Sequence, residues 1–304
     1  MLKKIIMNEK KRFNIKDISS KEISSHIIFE DKNKIPNMIC GIAPCRTGTT
    51  AQLKVFAGGE IDAYYQPIKS ILRRIAFDSD YEDFIIPSKD IIFIKETIGP
   101  YSYAESKFNP IEVLENINYP KSKLKLIFEM RDPIDAYLSW INQFLSHEEY
   151  REQMLDLFIL SYKTVNDMID IAKKNSYISI PYIYESIKDN TPEDVISKLF
   201  KLLDIEFRES AIRGWDNKDI ESKIHFAKEP EVYEPLNLHD EMKKSEGLKY
   251  NAKPIEYIKS ILRKDEIERI QKSGIYSIYQ KIIEEQEKIF DIKINKDFRI
   301  KYLL

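Results

Sequence analysis

Short apolar runs at residues 38–43, 90–94, 124–128 and 177–183 are rich in β-branched and aromatic side chains, and helical stretches separate them. That alternation constrains the fold more than any other feature. Strands alternating with helices build βαβ units, which close into a parallel sheet covered on both faces. The boundaries carry their own signals. Pro67 opens a helix to about residue 77, with Ile68, Ile71, Leu72 and Ile75 on one face. Asn109-Pro110, Asp132-Pro133 and Thr191-Pro192 start three more helices, and a long one spans about 149–174. A helix over 49–57 is expected to stop at Gly58-Gly59. Residues 1–36 read as a peripheral arm with a short strand at 26–29. Residues 215–304 read as a loop-rich stretch (to about 254) followed by a helical extension. No internal repeat or low-complexity linker divides the chain, so the economical reading is one α/β domain over residues 1–304.

Composition narrows the function classes. The 48 Lys+Arg against 50 Asp+Glu give a net charge of −2, which argues against a nonspecific nucleic-acid binder but allows a local basic pocket. Hydrophobic residues make up 43% of the 304 positions, enough for a sizeable core. Two cysteines exclude a disulfide scaffold, and four scattered histidines leave a zinc site without ligands, so no metal is expected. No stretch approaches the ~18 apolar residues of a membrane span, and the N-terminal apolar run is too short for a signal peptide. The expectation is a soluble, cytoplasmic protein with no membrane partner.

The chemistry concentrates in Gly41-Ile42-Ala43-Pro44-Cys45-Arg46-Thr47-Gly48-Thr49-Thr50, between the first strand of the body and its helix. A loop so placed aims backbone N–H groups and the positive end of a helix dipole at one point, which suits a phosphate. Gly48 permits close approach of the backbone; Thr49 and Thr50 add hydroxyls. The nucleoside-triphosphatase loop reads GxxxxGK[ST], whereas Thr49 stands here in place of the lysine and the charge has moved to Arg46. A simple polar strand-to-helix turn is the alternative reading.

At these residues the sequence resembles the sulfotransferases that use 3′-phosphoadenosine 5′-phosphosulfate (PAPS), bacterial members included. Their first signature is a strand, then Pro-[Lys/Arg]-[Ser/Thr]-Gly-Thr-Thr, then a helix; Arg46-Thr47-Gly48-Thr49-Thr50 matches, with Cys45 at the proline position. Their second runs from an Arg at a strand end through R-x-P to a Ser eight residues on, as Arg131-Asp132-Pro133 and Ser139 do. Tyr182-Ile183-Tyr184-Glu185-Ser186-Ile187 is similar to their Tyr-Glu-Asp-Leu. The resemblance covers about residues 38–207. It implies a P-loop NTPase-like parallel sheet, PAPS as co-substrate, and adenosine 3′,5′-bisphosphate (PAP) as product. It also implies a donor site of Arg46, Thr47, Gly48, Thr49, Thr50, Arg131 and Ser139, with Tyr184 against adenine.

The residues support that reading independently. A donor with a 5′-phosphosulfate and a 3′-phosphate needs two anion sites on one sheet edge. The loop offers one; the Arg131 fork with the Ser139 hydroxyl offers the other. An ion pair of Arg131 with Asp132 or Asp135 is the competing role. Sulfuryl transfer also needs cations near the leaving oxygen and a base for the acceptor proton. Arg46 and Lys95 are the candidate cations. Glu96 is the candidate base, provided that the strand ends at Ile94, so that Lys95 and Glu96 can both reach the site. Many bacterial members carry Glu before Pro after the first helix, but Gln66 stands there, and Asp62 is a further candidate. Tyr64, Tyr65, Tyr101 and Tyr103 suggest a pocket for a ring or sugar. Lys223 and Lys228 fall where the family has a late basic loop. His225, His239 and Trp140 read as ordinary surface or packing residues, and the Met242-Lys243-Lys244 segment is assigned no role.

Three functions follow as expectations. The first is a sulfotransferase acting on a hydroxyl or amine of a small-molecule or glycan acceptor. The second is a P-loop phosphotransferase using ATP, which wants the missing loop lysine and a magnesium-binding carboxylate. The third is a nucleotide-binding protein of the same fold that has lost its base.

Overall fold

The computed structural model describes residues 15–79, 82–145, 147–233 and 245–304. His239 and Met242-Lys243-Lys244 therefore lie outside the described residues. Its strands are β1 (Ile27–Phe29), β2 (Asn37–Pro44), β3 (Asp62–Tyr65), β4 (Phe84–Ile86), β5 (Ile91–Ile98), β6 (Leu124–Met130), β7 (Ile178–Ile183) and β8 (Ile224–Phe226). Six of them form one sheet in the order β7-β6-β2-β5-β3-β8. Every pairing in it is parallel. β1 and β4 make a separate parallel pair. The main helices are α1 (Thr49–Gly58), α2 (Pro67–Ala76), α3 (Pro133–Phe144), α4 (Arg151–Lys174), α5 (Pro192–Leu203), α6 (Lys264–Lys272) and α7 (Ile275–Phe290). The architecture is α/β, a parallel sheet flanked by helices.

Both faces of the sheet are covered, so its inner strands β2, β5 and β6 are buried along nearly their whole length. Pro181 sits on β7, an edge strand, where its missing N–H breaks no inner ladder. From β2 the chain first goes to one side, out to β3 and back to β5, which lies between the two. It then crosses to the other side for β6 and β7. The loop after β2 therefore lies at the point where strand order reverses, the crevice where open α/β sheets bind ligands. Asn109 and Thr191 cap their helices as anticipated, accepting from Ile111 N and Asp194 N.

Three differences from the sequence reading have physical reasons. β5 runs on to Ile98, because residues 95–98 stay in register with residues 41–44 of β2. β8, inside the stretch read as loop, adds to the sheet beside β3; at three and four residues, both are too short to show a periodicity. Gly58 belongs to α1 rather than ending it. Its φ is ordinary, and the reason for glycine is contact: a Cβ there would lie 2.0 Å from the Ser210 carbonyl oxygen.

Candidate functional site

The loop between β2 and α1 is held by its own side chains. Thr47 is buried and its hydroxyl donates to the Pro44 carbonyl at 3.0 Å, so it braces the turn from behind. Arg46 takes φ +69°, an unusual conformation for a residue with a Cβ. Gly48 takes φ +106° and caps α1 without a side chain. A Cβ on Gly48 would lie 2.4 Å from Tyr184 Cδ2 and 2.8 Å from Glu129 Oε1, so only glycine fits. The leading N–H groups of α1 thus meet the crevice with no side chain across them.

A cavity of ≈330 Å³ opens there, the size of a small-ligand site. Arg46, Lys54, Lys69, Arg73, Lys95, Arg131 and Lys249 line it, and among the described residues no carboxylate does. Gly48, Thr49, Thr50, Ser139 and Tyr184 line it too. Seven basic side chains around one small space, two of them (Lys69 and Arg73) paired with Glu105 and Glu229 behind the lining, give an electrostatic environment that suits an anion.

The two sequence motifs meet directly. Arg46 Nε donates to Ser139 Oγ at 2.9 Å, and Arg131 Nη1 donates to the Arg46 carbonyl at 3.4 Å. Arg131 lies 5.2 Å from the Tyr184 ring centroid and pairs with Glu185 at 3.9 Å. The competing partners make their close contacts elsewhere: Asp132 accepts from Ile134 N at the start of α3, and Asp135 faces Arg299 at 3.4 Å while still acting on Arg131 at longer range. The Tyr184 hydroxyl donates to the Lys249 carbonyl at 2.9 Å.

Lys95 and Glu96 part company. Because β5 continues past them, alternation sends Lys95 and Thr97 to the cavity and Glu96 away from it. Lys95 Nζ sits 3.9 Å from the Tyr65 ring centroid. Burial pulls its pKa down to about 7, against the pull of Cys45, Glu96 and Glu129 toward the charged form. Glu96 is wholly buried and accepts from Ile68 N at 2.8 Å and Lys69 N at 3.2 Å, closing the first turn of α2. Burial pushes its pKa up to about 8 in spite of those two donors. A carboxyl so engaged reaches no substrate in the cavity, which corrects the expectation that Glu96 serves as the base. Asp62 starts β3, far from the strand's C-terminal end, and pairs with His225 at 2.7 Å and Lys89 at 2.9 Å. Gln66 does line the cavity; its Oε1 accepts the Thr97 hydroxyl at 2.7 Å.

Of the four tyrosines, Tyr65 and Tyr101 line the cavity, while Tyr64 stacks on His225 and Tyr103 is exposed. Trp140 packs in the core and donates its Nε1 hydrogen to the Cys45 carbonyl at 2.6 Å. Lys223 and Lys228 are not at this cavity; Lys249 supplies the late basic residue instead. Sequence reasoning missed Lys54, Lys69, Arg73, Lys249 and Trp215. Two signals were present: Lys54 is the only charge in α1, and Lys69 and Arg73 are spaced i, i+4 off the apolar face of α2.

No helix among the described residues is long and apolar enough to cross a membrane, and none of their His, Cys, Asp and Glu side chains group as metal ligands. No family model matches the chain, and no curated protein matches it. Among solved structures, the sulfotransferase domain from the Synechococcus PCC 7002 olefin synthase is similar over 80% of this chain and 96% of that one. The sequence identity is 12% and the TM-score 0.41. At that level of similarity the likeness carries no functional argument, which rests on the cavity's own chemistry.

Proposed function

We propose that the protein is a sulfotransferase that takes its sulfuryl group from PAPS. The observation that carries this reading is the ≈330 Å³ cavity with seven cations and, among the described residues, no carboxylate. The 5′-phosphosulfate sits on the N–H groups at the start of α1, beside Arg46, Thr49 and Thr50. The 3′-phosphate takes the Arg131 fork and the Ser139 hydroxyl. The Tyr184 ring, next to Arg131, lies against the base. Lys95 approaches the bridging oxygen from the floor of the sheet. In transfer, the bond from sulfur to the 5′-phosphate oxygen breaks as a bond to an acceptor oxygen or nitrogen forms, and the acceptor loses a proton. Charge gathers on the departing phosphate, where Arg46 and Lys95 stabilise it. Tyr65, Tyr101, Phe144 and Gln143 border the remaining space, the place for the hydroxyl or amine of a small molecule or the end of a glycan.

An ATP-dependent phosphotransferase fits less well, since no described carboxylate lines the cavity to hold magnesium. The same observation favours a second reading, a PAP-binding protein without transfer activity, because among the described residues neither a carboxylate nor an imidazole lines the cavity. Thermal-shift titration separates the classes. PAP without magnesium is expected to raise Tm, by an amount set by its concentration relative to Kd. Stabilisation by ATP–Mg alone contradicts both readings. Turnover of PAPS against a panel of alcohols and amines then separates the sulfotransferase from the silent binder.

A further inference from the structure

Among the described residues, no hydrogen-bond donor answers the Glu129 carboxyl. It lies on β6 two residues before Arg131, is wholly buried, and neither carboxyl oxygen has a hydrogen-bond partner among the described residues. An unpaired polar group in the interior costs stability, and leucine or methionine would fill the same space without that cost. Its position is directly beneath the anion loop: a Cβ on Gly48 would stand 2.8 Å from Oε1. In register, Ala43 separates it from Thr97, so Glu129 and Lys95 share the sheet face on which α1 rests.

The charged and titratable groups that face it come from each neighbouring element. They are Lys95 on β5, Arg131 past the end of its own strand, Tyr182 on β7, and Tyr184 and Glu185 just beyond. Burial, reinforced by Glu185 and opposed by Lys95 and Arg131, holds the carboxyl well above the usual carboxylate range. In the neutral form it adds no charge under the loop. Ionised, it would set a negative charge against the back of the site that Arg46 and the α1 N-terminus make for an anion.

We propose that Glu129 is a positioning residue that carries a proton beneath the anion loop, and that its neutral form is required for the polyanion to seat above Gly48. Proton and ligand then favour each other's binding, a coupling that must be reciprocal. The inference rests on the polyanion reading of the cavity and adds a proton-linked element that the loop and Arg131 do not supply. Losing the proton from Glu129 weakens ligand affinity by up to about tenfold per pH unit above its pKa.

The test is calorimetric titration of PAP from pH 5.5 to 9 into the wild-type protein, Glu129→Gln and Glu129→Met. Titration of the ligand's phosphates is common to all three and cancels in the comparison; Lys95, which Glu129 pulls toward its charged form, loses that support in both variants, an effect that weakens anion binding and so cannot produce the expected gain. Both neutral variants are expected to match the wild type at low pH and to bind tighter than it at the top of the range. Glu129→Met, which removes the unpaired group, is also expected to melt higher. Parallel pH profiles for all three proteins, or weaker binding by both variants at every pH, overturn the proposal. If the wild type itself fails to bind PAP, the polyanion reading fails instead.

Discussion

The cations around the cavity fall into two groups with different partners. At the α2 end, Arg73 is paired with Glu105 at 3.1 Å and Glu229 at 3.1 Å, and Lys69 with Glu105 at 3.3 Å. The Tyr233 hydroxyl also donates to Glu105 at 2.6 Å, and the Arg73 guanidinium lies 4.1 Å from the Tyr233 ring centroid. At the loop end, Arg46 meets a serine hydroxyl, Lys54 meets the Trp215 and Ser245 carbonyls, and Lys95 meets a tyrosine ring. At the first end carboxylates balance the charge; at the second, the described contacts of these cations are to a hydroxyl, two carbonyls and a ring, with Glu221 and Asp216 acting on Lys54 from further off. Buried cations facing carboxylates tie α2 to the 103–107 helix. The loop-end cations line the cavity beside the start of α1, where a ligand would meet them.

Breaking the balanced end carries the largest expected effect. Glu105→Ala strips Arg73 and Lys69 of a shared partner while both stay buried, and should cost about 3–5 kcal/mol of stability in urea denaturation. A loss under about 1 kcal/mol would mean that the two ends do not differ in kind.

The loop end should respond the other way, in affinity rather than stability. Arg46→Ala removes a charge-assisted contact worth roughly 1.5–3 kcal/mol and should weaken PAP binding by about 10–150-fold with Tm nearly unchanged. Ser139→Ala removes a neutral hydrogen bond and should cost about 1 kcal/mol, near fivefold. Equal effects of the two substitutions, measured by calorimetry, would place the anion away from Arg46.

The smallest expected change sharpens the boundary between the two ends. Glu96→Gln alters the closure of α2 and reaches the cavity only through its pull on Lys95, so at a pH low enough to keep Lys95 charged, PAP affinity should stay within about twofold and stability should shift by about 0.5–2 kcal/mol. The sign of its pH dependence is fixed. The folded-state pKa, about 8, lies above the ordinary carboxylate value. Glu96 therefore favours the fold at low pH, and that contribution is lost as pH rises toward 8. The variant should lose that component of the stability profile.

Much of this site is legible in sequence because its parts are local. Arg46 to Thr50 follow one strand, Arg131 and Ser139 share one strand end and helix, and a glycine among only eight marks the loop. What escaped depends on tertiary context. Thr47 faces the Pro44 carbonyl rather than the cavity because the turn folds back on itself. Glu96 was misjudged with the length of β5, which pairing with β2 extends past its apolar run. Lys69 and Arg73 look like a solvated helix face until Glu105 and Glu229, from distant segments, bury them. Lys249 lies in a charged stretch without periodicity, where no pattern in the chain assigns a side chain to a site.

The most direct test is a crystal structure with PAP bound. The account predicts the 5′-phosphate within hydrogen-bond distance of the Gly48 and Thr49 N–H groups, and the 3′-phosphate against Arg131 and Ser139. A ligand seated elsewhere, with the loop facing solvent and Arg46 still on the Ser139 hydroxyl, would contradict it.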